Sequence, residues 1–199
     1  MHKDKTKSAV ILCGGRGRRL GDVGKEKPKT LMKVQGKPIL WYLLKTLKKN
    51  NYNQVVLALG FKHQLITKYI KKNYRYFKGL EIICLNTGVN SSISKRVFNL
   101  RNQIKSEEFL LLNSDTIFNF NLEKLYKDKI KNKIDFCLLS VSSESDFGCI
   151  ILKGSKAIGF KRDIKIEKIF FNDIKKYGLV NSGICFMNKK IFNFKFEKF

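Results

Sequence analysis

Residues able to hold a polyphosphate are concentrated near the amino end. The segment Leu12-Cys13-Gly14-Gly15-Arg16-Gly17-Arg18-Arg19-Leu20 is followed by Lys25-Glu26-Lys27-Pro28-Lys29. Adjacent glycines let the backbone come close to a ligand and offer N–H groups to phosphate oxygens. Arg16, Arg18, Arg19 and Lys29 place positive charge around the same point, and guanidinium forks suit the oxygens of a triphosphate. A basic surface loop is the plainer reading of such a segment; the three arginines and the Pro-Lys that follows weigh against it. Two familiar phosphate motifs do not fit. In a G-x-x-x-x-G-K-[ST] pattern Gly24-Lys25 would need Ser or Thr next, and Glu26 stands there; a G-x-G-x-x-G pattern from Gly15 meets Leu20 in place of its third glycine.

The second candidate is Asp115, which follows the apolar run Phe109-Leu110-Leu111-Leu112-Asn113-Ser114. A carboxylate at the carboxyl end of a buried strand faces the ligand side of an α/β sheet. Magnesium takes carboxylate and phosphate oxygens and keeps several waters. From position alone, a cap or turn aspartate ahead of a helix is an equal reading. His2 and His63 are the only histidines, and no Ser/His/Asp set is visible, so nothing here points to a protein nucleophile.

These residues need strands and helices to hold them. Apolar β-rich runs at 8–13, 54–59, 80–85, 108–112 and 135–141 alternate with helical patterns at 38–49, 63–73, 93–104 and 121–131. In 38–49 a proline opens the helix, and Ile39, Leu40, Leu43, Leu44 and Leu47 share one face. Strand–helix alternation predicts parallel strands joined by right-handed crossovers, hence an α/β sheet covered on both faces. From about residue 147 the pattern becomes short strands, at 147–152, 157–162, 165–170 and 178–187. These read as a small antiparallel extension of a single domain over 1–199, with a basic tail at 1–7, a first part at 8–146 and a second at 147–199.

The motifs carry a resemblance. Gly14-Gly15-x-Gly17-x-Arg19-Leu20 with Pro28-Lys29 resembles the signature of sugar-1-phosphate nucleotidyltransferases, enzymes with a Rossmann-like α/β fold. Gly36-Lys37-Pro38-Ile39-Leu40-Trp41-Tyr42 is similar to the segment that opens the first helix of glucose-1-phosphate cytidylyltransferases. Asn86-Thr87-Gly88, with Ser91 and Arg96, is similar to their Thr-Gly…Gly-Gly-Arg loop. Ser114-Asp115 matches the family's Gly-Asp, and Phe147-Gly148 and Asn181-Ser182-Gly183 match its sugar-contacting Phe-Gly and Asn-Gly-Gly.

By that resemblance the chain joins a nucleoside triphosphate, CTP first, to a sugar 1-phosphate, releasing pyrophosphate, in surface polysaccharide biosynthesis. Cys13, Gly14, Gly15, Gly17, Arg19, Thr87, Gly88 and Ser91 would bind the nucleotide. Gly148, Asn181 and Gly183 would bind the sugar phosphate, so that 8–146 would be the nucleotide-binding part and 147–199 the sugar-phosphate-binding part. Arg19, Lys29 and Asp115 would be catalytic, with Mg2+ on Asp115.

Three departures stand out. Ile93-Ser94-Lys95 replaces the Thr-Gly-Gly ahead of Arg96, close to where the family places the nucleobase. Arg162-Asp163-Ile164 falls where the family has Glu-Lys-Pro, leaving Lys161 or Lys165 to grip the phosphate. No second metal-binding aspartate follows before Phe199, so the chain reads as a short or C-terminally truncated form. These departures motivate two further expectations: a nucleotide-binding regulatory homologue with little or no activity, or a guanylyl-, uridylyl- or thymidylyltransferase of the same family.

Composition excludes other classes. The 199 residues carry 41 basic and 16 acidic side chains, a formal charge of +25, with 43% hydrophobic residues. That apolar share argues against a disordered chain. Only 7 of the bases are arginine and the lysines are spread throughout. With no helix-turn-helix or zinc pattern, a specific nucleic-acid-binding role ranks last. The positive field still attracts polyanions, nucleotides included. Five scattered cysteines without a C-x-x-C pair read as reduced thiols of a cytoplasmic protein. No apolar run approaches the roughly 20 residues of a transmembrane helix. The phenylalanine-rich stretch 192–199 offers a surface that a second copy could cover.

Overall fold

The computed structural model describes residues 6–17, 21–144, 149–161, 165–166, 168–171, 174–177 and 179–193. The chain divides into two units, one of residues 1–137 with 183–199 and one of residues 138–182.

The first unit is an α/β sheet. Its parallel strands are β1 (Ser8–Cys13), β4 (Gln54–Leu59), β5 (Glu81–Asn86) and β6 (Glu108–Asn113). Strand β13 (Leu179–Asn188) enters this unit at Gly183 and pairs antiparallel with β6, giving the order β13–β6–β1–β4–β5. The chain therefore builds outward from β1 to β4 and β5, then returns to the other side of β1 to lay down β6. That reversal opens a crevice beyond the carboxyl ends of β1 and β6, where open α/β sheets take their ligands. β1 and β4 are central and almost wholly buried, which is why they read as near-continuous apolar runs.

The helices are α1 (Gly21–Glu26), α2 (Ile39–Lys49), α3 (His63–Asn73), α4 (Ile93–Asn99) and α5 (Leu122–Lys131). In α2, Leu40, Leu43, Leu44 and Leu47 are all buried. Each contributes roughly 1.5–3 kcal/mol relative to an exposed leucine. Pro38 sits one residue earlier than expected, at the N-cap of α2. It also ends the two-stranded ribbon of β2 (Lys33–Val34) and β3 (Lys37–Pro38), an element too short to leave a periodic pattern.

One helix is shorter than the sequence predicts. The apolar spacing Val97, Leu100, Ile104 suggests a helix to 104, but α4 ends at Asn99. Successive tight turns follow, with Leu100 N–H on Val97 O and Gln103 N–H on Leu100 O. Leu100 and Ile104 are still buried, packed in one cluster with Val10, Val56, Ala58, Val97 and Phe109. A string of turns thus satisfies the same burial pattern as a helix. Ser92 caps α4, its hydroxyl accepting the Lys95 N–H at 3.2 Å.

The second unit is built of short antiparallel pairs. β8 (Cys149–Lys153) pairs with β9 (Lys156–Lys161) through a tight turn in which Gly154 has φ +61°, and β11 (Lys168–Phe171) pairs with β12 (Ile174–Tyr177). β10 (Lys165–Ile166) pairs with β7 (Phe136–Glu144), and β7 neighbours β13. The α/β class, with a mostly parallel sheet flanked by helices and small antiparallel pieces, is the one the residue pattern predicts. Among the described residues no helix is long and apolar enough to cross a membrane.

Candidate active site

A cavity of about 640 Å³ opens at the carboxyl ends of the parallel strands of the first unit. Three loops surround it. The glycine loop at 14–17 leaves β1, the 87–92 loop joins β5 to α4, and the turn Asn113-Ser114-Asp115 leaves β6. Two other cavities, of about 160 and 620 Å³, are both lined by Lys7, Asn50 and Glu123 near the amino ends of the strands, away from these loops.

Lys29 and Asp115 lie 86 residues apart in sequence and form an ion pair at this site. The sequence path makes this possible. Pro28 is buried and begins a one-turn 3₁₀ segment (Lys29–Leu31), with Leu31 N–H on Pro28 O. Thr30 is buried within that turn, its hydroxyl 3.9 Å from the Cys13 thiol. The turn is thereby pinned to the end of β1 while the Lys29 ammonium reaches the β6 turn. Both charged side chains keep more than a third of their surface open.

The glycine loop is shaped from behind by Arg96. This arginine is only 6% exposed, and its guanidinium donates to Thr87 Oγ1 (2.8 Å), Val89 O (3.0 Å), Leu59 O (3.2 Å) and Gly14 O (3.3 Å). All four acceptors are neutral. Among the described residues no carboxylate pairs with it, and burial pulls its pKa below the usual arginine range. A Cβ on Gly14 would lie 2.0 Å from Arg96 Nη1, so this position must be glycine for the guanidinium to fit. Gly15 is different: it is exposed, and a Cβ there would meet nothing within 4 Å. In front, Arg16 crosses to Asn90 Oδ1 at 2.8 Å, tying the glycine loop to the 87–92 loop.

The residues singled out from sequence thus fall into groups. Gly14, Gly15, Gly17, Ser91 and Asp115 line the cavity. Thr87 is buried beneath it, its hydroxyl donating to Leu59 O and accepting from Arg96. Gly88 takes a left-handed φ of +92° and its N–H bonds Asn86 Oδ1. The Cys13 side chain is buried behind the loop, and burial pushes its thiol up to about 12. Gly183 packs in the first unit, where a Cβ would be 2.5 Å from Asn113 Nδ2 and 2.6 Å from Thr116 Oγ1. Asn181 is exposed on the part of β13 within the second unit. Arg19, Gly148 and the segment 162–164 lie outside the described residues.

From the sequence alone Arg96 carries no role beyond its place in a motif, Arg16 is one charge among several, and neither Asn90 nor Asn113 stands out as a site residue. Arg96 had a visible signal: it stands beside Val97 on the face of the 93–104 pattern that turns toward the core. A cation at such a position needs several acceptors.

The family model described as nucleotidyl transferase matches residues 8–198. The chain is 31% identical to a D-glycero-alpha-D-manno-heptose 1-phosphate guanylyltransferase of Campylobacter jejuni, over 96% of this chain and 83% of that protein. It is 27% identical to a Bacillus subtilis protein assigned as a glucose-1-phosphate cytidylyltransferase, over 94% of this chain and 76% of that protein. Its fold superposes on HddC from Yersinia pseudotuberculosis, crystallised with GMP-PN, with a TM-score of 0.69 at 21% identity, covering 98% of this chain and 82% of that one. The chain belongs to the nucleotidyl transferase family.

Proposed function

We propose that the chain transfers the nucleotidyl group of a nucleoside triphosphate to a sugar 1-phosphate, releasing pyrophosphate, as a step supplying activated sugars for surface polysaccharides. The observation that carries this reading is the meeting of Lys29 and Asp115 at the rim of a cavity whose other wall is the glycine loop. A sugar-phosphate oxygen attacks the α-phosphorus in line with the departing pyrophosphate. Two polyanions must approach, so the protein's task is to position them and neutralise charge. The loop's N–H groups and Arg16 hold the phosphates, with Arg19 assigned to the same task by the family signature. Lys29 exchanges its carboxylate partner for phosphate oxygens.

Asp115 fits a magnesium ion of the kind bound by one or two carboxylates plus substrate phosphates. It lines the cavity, its carboxylate is partly open, and among the described residues no cluster of three ligating side chains offers an all-protein cage. Such an ion would neutralise charge on the triphosphate.

The base is a choice between two. The segments 36–42 and 86–91 favour CTP by their likeness to cytidylyltransferases. GTP is the second arm, because relatives at 31% identity are named as guanylyltransferases. Gly148, Asn181 and Gly183 are assigned to the sugar phosphate by the family pattern.

The test is pyrophosphate release from each of four NTPs with several sugar 1-phosphates and Mg2+. Release that needs both substrates supports the transferase. NTP binding without turnover would instead support the regulatory homologue.

A further inference from the structure

Resting on the reading of this cavity as a triphosphate site, we infer that Arg96 is a positioning residue that aims the Gly15 N–H at the phosphates. A trans peptide points its C=O and N–H in opposite directions, and no cis bond occurs among the described residues. The Gly14 carbonyl is held from behind by Arg96 Nη2 and by the Phe61 N–H, each at 3.3 Å. The N–H on the other side of that peptide belongs to Gly15 and must point away from Arg96, toward the open side of the loop. Gly15 makes no hydrogen bond among the described residues and is exposed.

The same guanidinium holds Val89 O at 3.0 Å, which turns the Asn90 N–H away from it in the same manner. One buried side chain therefore sets two peptide dipoles in two loops facing one cavity. It also fastens both to the end of β4 through Leu59 O. Among the described residues its positive charge meets only neutral acceptors, which leaves it available to a bound polyanion. Gly60 belongs to the same arrangement: a Cβ there would lie 2.7 Å from both Arg96 Nη1 and Gly14 O.

A Cβ on Gly14 would meet the guanidinium, so Gly14 and Arg96 are a sterically coupled pair whatever their function. The readout that a merely structural role would not move is a change in NTP KM without a matching change in sugar 1-phosphate KM. Arg96→Lys keeps a charge but lacks the planar fork that spans four acceptors. The experiment measures KM for NTP, KM for sugar 1-phosphate and kcat, together with inorganic tripolyphosphate affinity by calorimetry. The variants are Arg96→Lys, Arg96→Ala, Gly14→Ala and the double Gly14→Ala/Arg96→Ala, with Lys105→Met as a remote control.

Arg96→Lys is expected to weaken tripolyphosphate and raise the NTP KM by about 10- to 100-fold, with the sugar-phosphate KM within about threefold. Gly14→Ala should do similar damage in the wild-type background and add almost nothing in the Arg96→Ala background, where the methyl has room. Millimolar methylguanidinium should partly restore Arg96→Ala. An unchanged NTP KM in Arg96→Lys, or simple additivity of Gly14→Ala and Arg96→Ala, overturns the inference. If Arg96→Ala does not fold, Arg96→Lys alone decides. A wild-type chain that binds neither tripolyphosphate nor any NTP refutes the triphosphate reading itself, whereas wild-type binding with insensitive variants refutes only the role of Arg96.

Discussion

The Lys29–Asp115 pair separates function from stability. The two side chains are 39% and 37% exposed, so water screens their attraction. Pairs of this kind contribute roughly 0.2–1 kcal/mol. For a chain of this size 1 kcal/mol moves Tm by about 2–4 °C, so Asp115→Asn and Lys29→Met should each shift Tm by less than about 4 °C. Their effect on turnover should be far larger. A preorganised charge lost from a developing-charge site costs about 10²- to 10³-fold in kcat.

The internal control is Lys105–Glu81, an ion pair of similar exposure formed where neither residue lines the cavity. Lys105→Met should move Tm as little as Asp115→Asn does and leave turnover alone. The assay is coupled pyrophosphate release at saturating substrates beside a thermal melt of the same samples. Asp115→Asn with kcat within threefold of wild type refutes the catalytic assignment. A Tm loss above about 8 °C refutes the weak-pair reasoning, because the activity loss would then be unfolding.

Other positions test the scaffold. Gly60→Ala forces a methyl to within 2.7 Å of Gly14 O and 2.9 Å of Gly88 O. Backbone cannot rotate away, so thermal melts should report about 1–3 kcal/mol of overpacking together with weaker NTP binding. Lys129 is fully buried against Glu108, which also accepts from Asn188. Lys129→Met should cost about 3 kcal/mol or more in urea unfolding, and Lys129→Met/Glu108→Leu should recover most of it. Burial pushes the Cys13 and Cys185 thiols up to about 12 from an ordinary 9.0. The unfolded chain therefore loses these protons first. Their contribution to stability is full below pH 9 and is lost as pH rises toward 12, by about 1.4 kcal/mol per pH unit per thiol. A urea midpoint that stays flat from pH 9 to 11 would contradict it, as would alkylation of either thiol in the folded chain at pH 8.

Much of the first unit is legible in its residues because burial on both faces leaves no freedom of interpretation. β1 and β4 can only be continuous apolar runs, and the predicted bounds 8–13, 54–59 and 63–73 coincide with the observed elements. Asp115 is legible for the same reason: it is the first carboxylate after a buried strand, and strand direction places it on the ligand side. Elements without a period are not legible. The β2–β3 ribbon has two residues per strand, and α1 carries Gly21 and Gly24 in six residues, so no apolar stripe announces either. The helix expected over 93–104 shows the converse, a burial pattern kept by tight turns after Asn99.

The glycine loop shows why residue type under-determines role. Gly14 and Gly15 are adjacent and identical, and a reading from sequence assigns both to the ligand. In the fold their reasons differ. Gly14 is glycine because a guanidinium from 82 residues away fills the space of its side chain. Gly15 has open space in which any side chain would fit, so what glycine gives there is clearance between the backbone and an incoming phosphate. Arg96 is hidden for a related reason. Among 41 basic residues one more arginine carries no weight until its depth is known. Depth follows from where α4 meets the ends of β1, β4 and β5, and that meeting is long-range. A substitution pair distinguishes the two glycines directly. Gly15→Ala should leave the fold and Tm unchanged and weaken only NTP binding, while Gly14→Ala should disturb both. Equal Tm losses from the two would show that the loop senses side-chain volume uniformly, and the division of labour between them would fail.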